Sequence, residues 1–583
     1  MPTPRAVSRS ADPVISNAEL ARVFREIGDM LEILGELVYK AVAYRRVADA
    51  VERWPEDVAA LFRRGTPPKI PGAGEALSAK LRELAETGRL AYHERLQVQV
   101  PAGMLDLLRI PGLGPRTVRL LHSELGIDSL DSLKAAAEAG ALRTVKGLSA
   151  RTEQNILAGI ARLATQGSRL LLHHADALAS ELIDQLRGIT GLRQLAAAGS
   201  LRRRCATIGD LDLLAATDDP AALIAAFDRL PQVDRVLSAG TDKSSVVLAS
   251  GRQVDLMVCA PVAWGTHLVH FTGSRDHNVA LRGRALEHGL SLSEKGFKVV
   301  DTGELELAAT EEEVYARLDL PWMPPELRED SGEIQAALAG QLPELVRLED
   351  LRGDTHVHSD WTDGVDSIEA MARAARQLGH EWMVLTDHSP SLGITRGLAP
   401  ERVAEQRAEV DRLNAELSPF RILHGTEMEI RADGSLDYPD ELLAGFDLVV
   451  ASVHTARGQS SEQLTRRTLA AIENEHVDVI AHPTGRIVNR RDPVALEWPR
   501  VFEAAARTGT ALELNGSPRL DLDDSLARAA GQAGVRLTLA SDAHRTEELD
   551  QLRYAVDMAR RAWVTPAQVI GARSADSLLE LVR

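Results

Sequence analysis

The stretch DTHVHSDWTDG, residues 354–364, decides how the C-terminal part of the chain is read. It is an apolar strand that ends in polar groups, with His356 and His358 two residues apart and therefore on one face. The pattern returns in WMVLTDHSP (382–390), RILHGTEMEI (421–430), LVVASVHT (448–455), VDVIAHPTG (477–485) and RLTLASDAHR (536–545). ALELNGSP (511–518) adds a seventh strand of the same kind. Seven such strands separated by helical segments predict an α/β domain over 348–583, a distorted (βα)7 barrel with functional groups at its C-terminal strand ends. The candidate metal ligands are His356, His358, Asp363, His388, Glu427, His454, His482, Asp542 and His544. A single histidine in such a place reads as a packed core residue, but six at equivalent strand ends do not. Six imidazoles and three carboxylates suit up to three Mn²⁺, Zn²⁺ or Fe ions. Such ions activate water and polarise phosphoryl oxygens, which is the chemistry of phosphoester hydrolysis.

Upstream of the barrel, residues 321–345 include the Pro-rich, charged PWMPPELRED, so 321–347 reads as a linker. Before it, 166–260 alternates apolar and polar residues in LDLLAAT, RVLSAG, SSVVLAS and QVDLMVCA, after a helix near His174–Leu186. Residues 261–320 return to mixed helix and strand. Together these predict an α+β region. Its sharpest segment is AGSLRRRCATIGDLDLL (198–214), in which Asp210 and Asp212 present their carboxylates on one side of a strand. Asp255 lies in the neighbouring strand-like RQVDLMV. Three acids on adjacent strands suit a pair of Mg²⁺ or Mn²⁺ ions that activate an attacking oxygen and stabilise a leaving pyrophosphate. Gly199 and Ser200 offer backbone and hydroxyl donors, and Arg202, Arg203 and Arg204 offer guanidinium groups for a triphosphate.

Residues 17–165 read as short helices broken by Pro-Gly turns. IPGAGEALSAKL (70–81) and IPGLGPRTVRLL (110–121) place Gly-x-Gly ahead of a helix, and VKGLSARTEQNIL (145–157) is a partial third copy. Gly72, Gly74, Gly112 and Gly114 allow the turn and the close approach of backbone, while the helix N-terminus offers unpaired N–H groups to an anion. This helix-hairpin-helix device grips DNA phosphates with few lysines. That matters because the net charge is −18, with the acid excess mainly in the last part of the chain. Two cysteines, Cys205 and Cys259, make no disulfide framework and no zinc site, which fits a reducing cytoplasm. The N-terminus has no signal-peptide pattern and no run is long enough to span a membrane.

These motifs carry two resemblances. Residues 20–335 resemble the family X DNA polymerases, the DNA polymerase beta group. AGSLRRRCATIGDLDLL resembles the palm, VYKAVAYRRVADAVERWP (38–55) the lyase-type domain, and HFTGSRDHNVALRGRALEHG (270–289) the thumb. The resemblance implies that Asp210, Asp212 and Asp255 hold metal, with Asp255 also a candidate general base for the primer 3′-OH. It implies that Ser200 and Arg203 bind the triphosphate, that Phe271 and Gly273 line the sugar site, and that Asn278 and Arg282 lie near the base and the template minor groove. Where the family often has Tyr, this chain has His270. Lys80 falls at the Schiff-base lysine of the lyase domain, while Lys40 and Tyr44 match its 5′-phosphate contacts; Glu83, one turn beyond Lys80, is placed to pair with it. Residues 348–583 resemble the PHP (polymerase and histidinol phosphatase) family, with all nine ligand positions filled. Glu429, Arg486 and Arg519 are further candidates there for supporting ligands or contacting phosphate.

The order is similar to that of bacterial family X polymerases carrying a C-terminal PHP domain. It implies a monomeric DNA repair enzyme acting in the cytoplasm on gapped or broken DNA with dNTPs, without membrane association. The implied activities are gap filling and Mn²⁺-dependent 3′–5′ exonuclease action, with abasic-site cleavage in some members. The expected domains are lyase-like 1–95, fingers 96–165, palm 166–260, thumb 261–320, linker 321–347 and PHP 348–583. A small-molecule phosphatase or a non-catalytic DNA-end scaffold are the competing readings.

Overall fold

In the computed structural model the described residues are 15–582 apart from 16, 53, 55–57, 109, 111–112, 146, 167–168 and 394. Gly112 therefore lies outside them. The chain divides into two compact units, Met1–Gly167 and Ser168–Arg583.

The described part of the first unit is helical. Leu20, Phe24, Ile27 and Leu31 recur at helical spacing along Asn17–Ile33 and are buried in its core. Gly72, at φ +81°, makes the turn that leads through Gly74 into the helix Glu75–Thr87. Gly114 likewise precedes Pro115–Leu125, whose proline occupies the position where a helix needs no N–H. Gly147, at φ +96°, stands before Ala150–Gln166. A side chain at Gly74 or Gly114 would meet nothing within 4 Å, so the backbone there is open to an outside partner.

The second unit begins with a five-stranded sheet. Its order is Leu192–Ala197, Leu211–Thr217, Gln253–Cys259, Lys243–Leu248 and Val233–Ala239. Helices Trp264–Thr272 and Arg275–Glu287 follow, and then a hairpin, Leu290–Ser293 with Gly296–Val299. The C-terminal region is a seven-stranded parallel sheet in chain order, from Gly353–Val357 to Leu537–Ala540. Its two ends approach each other: the His358 N–H donates to Ala543 O and the Asp542 N–H to His356 O, which nearly closes the barrel. The expected α/β (βα)7 fold is therefore present.

One apolar core runs through both sheets, joining Leu182, Leu213 and Leu256 to Leu514, Leu539 and Tyr554. Residues 321–347, expected as a linker, are packed. They contain the helix Glu333–Leu338, and Arg328 is fully buried against Glu311, with which it makes two hydrogen bonds. A buried guanidinium requires such a partner, so this stretch is fixed to the fold. No described helix is long and apolar enough to cross a membrane.

Candidate active sites

In the five-stranded sheet, Leu211–Thr217 and Gln253–Cys259 run parallel with Asp212 directly opposite Asp255. Asp210 immediately precedes the first of these strands. Burial pushes the Asp212 carboxyl up to about 7, and the charges of Asp210 and Asp255 add to the effect. Burial also opposes ionisation of Asp255, but hydrogen bonds from Lys243, Gln253 and Ser245 hold it below its ordinary range. Lys243 Nζ lies 2.6 Å from Asp255 Oδ2. Three carboxylates converging with one lysine leave negative charge uncompensated, so the donor set fits divalent cations.

Gly199, at φ +57°, caps this cluster. A Cβ there would overlap Asp212 Oδ2, so only glycine lets the turn lie against the carboxylate. Ser200 follows on the short helix Gly199–Arg202. Arg203 donates from Nη1 to Thr272 O at 2.6 Å and from Nε to Glu329 Oε1 at 3.0 Å, which brings it beside Gly273. Phe271 lies edge-on to His270. Asn278 Nδ2 donates to His270 O, and Arg282 Nε to Asn278 O. His270, Asn278 and Arg282 line one small cavity with Leu292 and Ser293.

Two of the three arginines read as triphosphate ligands have other work. Arg202 is held by Glu311 and Thr272, and Arg204 by Asp176 and Asp557. Arg203 is also paired with a carboxylate, Glu329, but its other contact is the Thr272 carbonyl beside Gly273.

At the C-terminal strand ends of the barrel, all nine expected ligands come together. His358, Asp363, His388 and His544 form one group that could hold a metal ion; His356, His358 and Glu427 form a second; Glu427, His454 and His482 form a third. His356 Nε2 and His358 Nε2 are 3.0 Å apart, which is the spacing of two ligands on one metal. Asp542 Oδ1 lies 3.5 Å from His358 Nε2 and 3.7 Å from His356 Nε2. Glu427 touches five imidazoles: those of His356, His358, His388, His454 and His482. Burial favours neutral imidazoles and pushes His358 down to about 3, with His544 adding repulsion. His356 goes the other way, because Glu513, Asp542 and Glu427 outweigh its burial. The Nδ1 atoms of His358 and His482 are buried without a hydrogen-bond partner. Unpartnered buried ring nitrogens among clustered imidazoles and carboxylates fit a multinuclear metal site.

A supporting ring orients these ligands. Glu513 accepts from His356 Nδ1 at 2.7 Å and from the His482 N–H at 2.6 Å. Glu429 accepts from His454 Nδ1 at 3.0 Å, leaving Nε2 to face Glu427. Arg486 donates to the carbonyls of Arg519 and Leu520, which braces their loop, and Arg519 Nε lies 3.6 Å from Asp542. Glu513 is absent from the sequence reading, although a carboxylate inside the short buried strand Ala511–Asn515 was a usable signal. Lys243 gave no signal: strand pairing alone brings it to Asp255, twelve residues away.

In the first unit, Lys80 Nζ sits over the Tyr92 ring, 5.0 Å from its centre. Glu83, expected to pair with Lys80, instead accepts a hydrogen bond from the Ala91 N–H. Lys40 pairs with Glu36, and the Tyr44 ring is buried between Phe24 and Tyr92.

Comparison with known proteins adds the following. Residues 15–90 match a helix-hairpin-helix domain, 104–162 a SAM-like helix-hairpin-helix tandem, 267–329 the DNA polymerase beta thumb and 354–517 the PHP domain. The chain is 37% identical to the DNA polymerase/3′-5′ exonuclease PolX of Bacillus subtilis, covering 95% of this chain and 97% of that protein. It is also 30% identical to a probable phosphatase of Syntrophotalea carbinolica, over 39% of this chain and 95% of that protein. A probable phosphatase of Thermoanaerobacter sp. is 28% identical over 37% of this chain and 89% of its own length.

Proposed function

Since the chain belongs to the PolX family of DNA polymerases/3′-5′ exonucleases, we propose that its palm fills short gaps in DNA while its barrel trims 3′ ends. The enzyme works as a cytoplasmic monomer on gapped or broken DNA with dNTPs. Two separate acid-lined sites carry this reading, one of carboxylates alone and one of imidazoles and carboxylates.

Asp210, Asp212 and Asp255 would hold Mg²⁺ or Mn²⁺, which supplies Lewis-acid activation of the primer 3′-oxygen and neutralises the leaving pyrophosphate. Ser200 and Arg203 hold the triphosphate, and Phe271 and Gly273 border its sugar. Asn278 and Arg282 face the base and the template. The nine barrel residues would hold up to three Mn²⁺, Zn²⁺ or Fe ions, which supply an activated water and polarise the scissile phosphate. Glu513 and Glu429 fix the tautomers of His356 and His454, so that each presents Nε2 to the site. The open backbone at Gly74 and Gly114 supports phosphate binding by the helical hairpins. Lys80, packed over the Tyr92 ring, is read as a phosphate contact rather than a Schiff-base nucleophile.

The test is extension of a primer and degradation of 3′-labelled DNA with Mg²⁺ or Mn²⁺. We expect Asp210→Ala/Asp212→Ala to abolish extension alone and His482→Ala to abolish degradation alone. Loss of both activities in either variant would break the two-site reading. The phosphatase relatives make a second outcome worth scoring. Phosphate release from small phosphomonoesters, with no DNA ladder, would replace the exonuclease.

A further inference from the structure

The turn that carries Arg203 is gripped from outside the polymerase region, by the barrel helix Leu552–Arg561. Arg561 Nη1 donates both to Arg203 O and to Glu329 Oε1, each at 2.8 Å. Glu329 Oε1 also accepts from Arg203 Nε at 3.0 Å. The same helix reaches the next residue as well, since Arg204 Nε donates to Asp557 Oδ2 at 2.8 Å. Arg204 stands at φ +56°, a left-handed conformation that a non-glycine residue adopts only when its surroundings hold it. Arg561 is 11% exposed and is itself anchored by Asp524. The Arg203 guanidinium thus has Nε fixed by Glu329 and Nη1 by Thr272 O, which leaves Nη2 without a protein partner among the described residues.

We propose that Arg561 and Glu329 are positioning residues for nucleotide binding: through them the hydrolase helix orients Arg203 toward the incoming triphosphate. This rests on the reading of Arg203 as a triphosphate ligand. A flexible arginine side chain gains from being held in one geometry, because the ordering cost is then met before substrate arrives. The polymerase site is therefore completed by a residue of the hydrolase domain.

The test measures dNTP KM and kcat in primer extension by the full-length protein, with 3′–5′ degradation as a check on folding. Arg561→Ala should raise KM about fivefold with kcat and degradation little changed, the size of one ordinary net hydrogen bond. Arg561→Lys, which cannot reproduce the fork, should fall between Arg561→Ala and wild type. Arg203→Ala should raise KM further, and adding Arg561→Ala to it should raise KM no more, because the two act through one contact. If Arg561→Ala disturbs folding, as loss of degradation would reveal, Glu329→Gln weakens the same restraint by removing its charge, with little change of shape. Additive effects in the double variant, or an unchanged KM in both Arg561→Ala and Glu329→Gln while Arg203→Ala is impaired, overturn the proposal alone. An unchanged KM in Arg203→Ala overturns the triphosphate reading with it.

Discussion

Gly199 shows how far one residue type can be read before the fold is known. Its pairing with Ser200 ahead of Asp210 and Asp212 was legible, and so was the phosphate-binding role that the motif suggests. What the motif does not reveal is that the glycine is needed by a carboxylate: its missing Cβ is the space Asp212 occupies. Gly199→Ala should therefore lower kcat/KM for nucleotide addition by about 10²-fold or more, by displacing Asp212, with degradation of DNA unchanged. Steady-state extension and degradation assays on the same preparation check this, and near-normal extension would refute it. Asp210, Asp212 and Asp255 were visible because their residue type and spacing are unusual in an apolar strand. Lys243 and Glu329 were not, because each becomes significant only through a partner distant in sequence. The RRR run was misleading for the same reason: its outer members answer to Glu311, Asp176 and Asp557, which local sequence cannot show.

Among the elements, the barrel strands were the most legible, since six of the seven carry a candidate ligand at or just past a short run rich in apolar residues. Leu192–Ala197 was missed because LRQLAA, at the edge of its sheet, is only partly buried and alternates weakly. The strand Ala511–Asn515 contributes more than its place in the sheet. Leu512 and Leu514 pack into the core while Glu513 turns to His356 and His482. Glu513→Gln should weaken Mn²⁺ binding by about 10- to 100-fold, the usual cost of losing a carboxylate that orients a ligating histidine. Calorimetric titration of the metal-free protein measures this, with His482→Ala as the reference for direct ligand loss. Unaltered affinity would mean that His356 needs no such support.

At the scale of the whole molecule, residues 168–583 share one apolar core across the five-stranded sheet and the barrel. The sequence suggests a boundary at 321–347 because Pro and charge dominate there, yet Arg328 and Val346 are buried. Linker composition and linker behaviour differ when a buried ion pair fixes the segment. A cavity made in the barrel by Leu539→Ala, costing about 2–5 kcal/mol, should lower the protection of palm amides such as Leu213 and Leu256 together with that of the barrel strands. Native-state hydrogen exchange reads both at once. Palm protection that stays at the wild-type level would show two independent folding units.

That shared core also sets the terms on which a DNA end could pass from one site to the other. Two sites fixed in one packed body keep a constant separation, so an end exchanged between them would have to travel by itself. The choice between extending a strand and cutting it back then becomes a race between chemistry at the palm and the dwell time of the DNA, and the polymer that moves is the substrate.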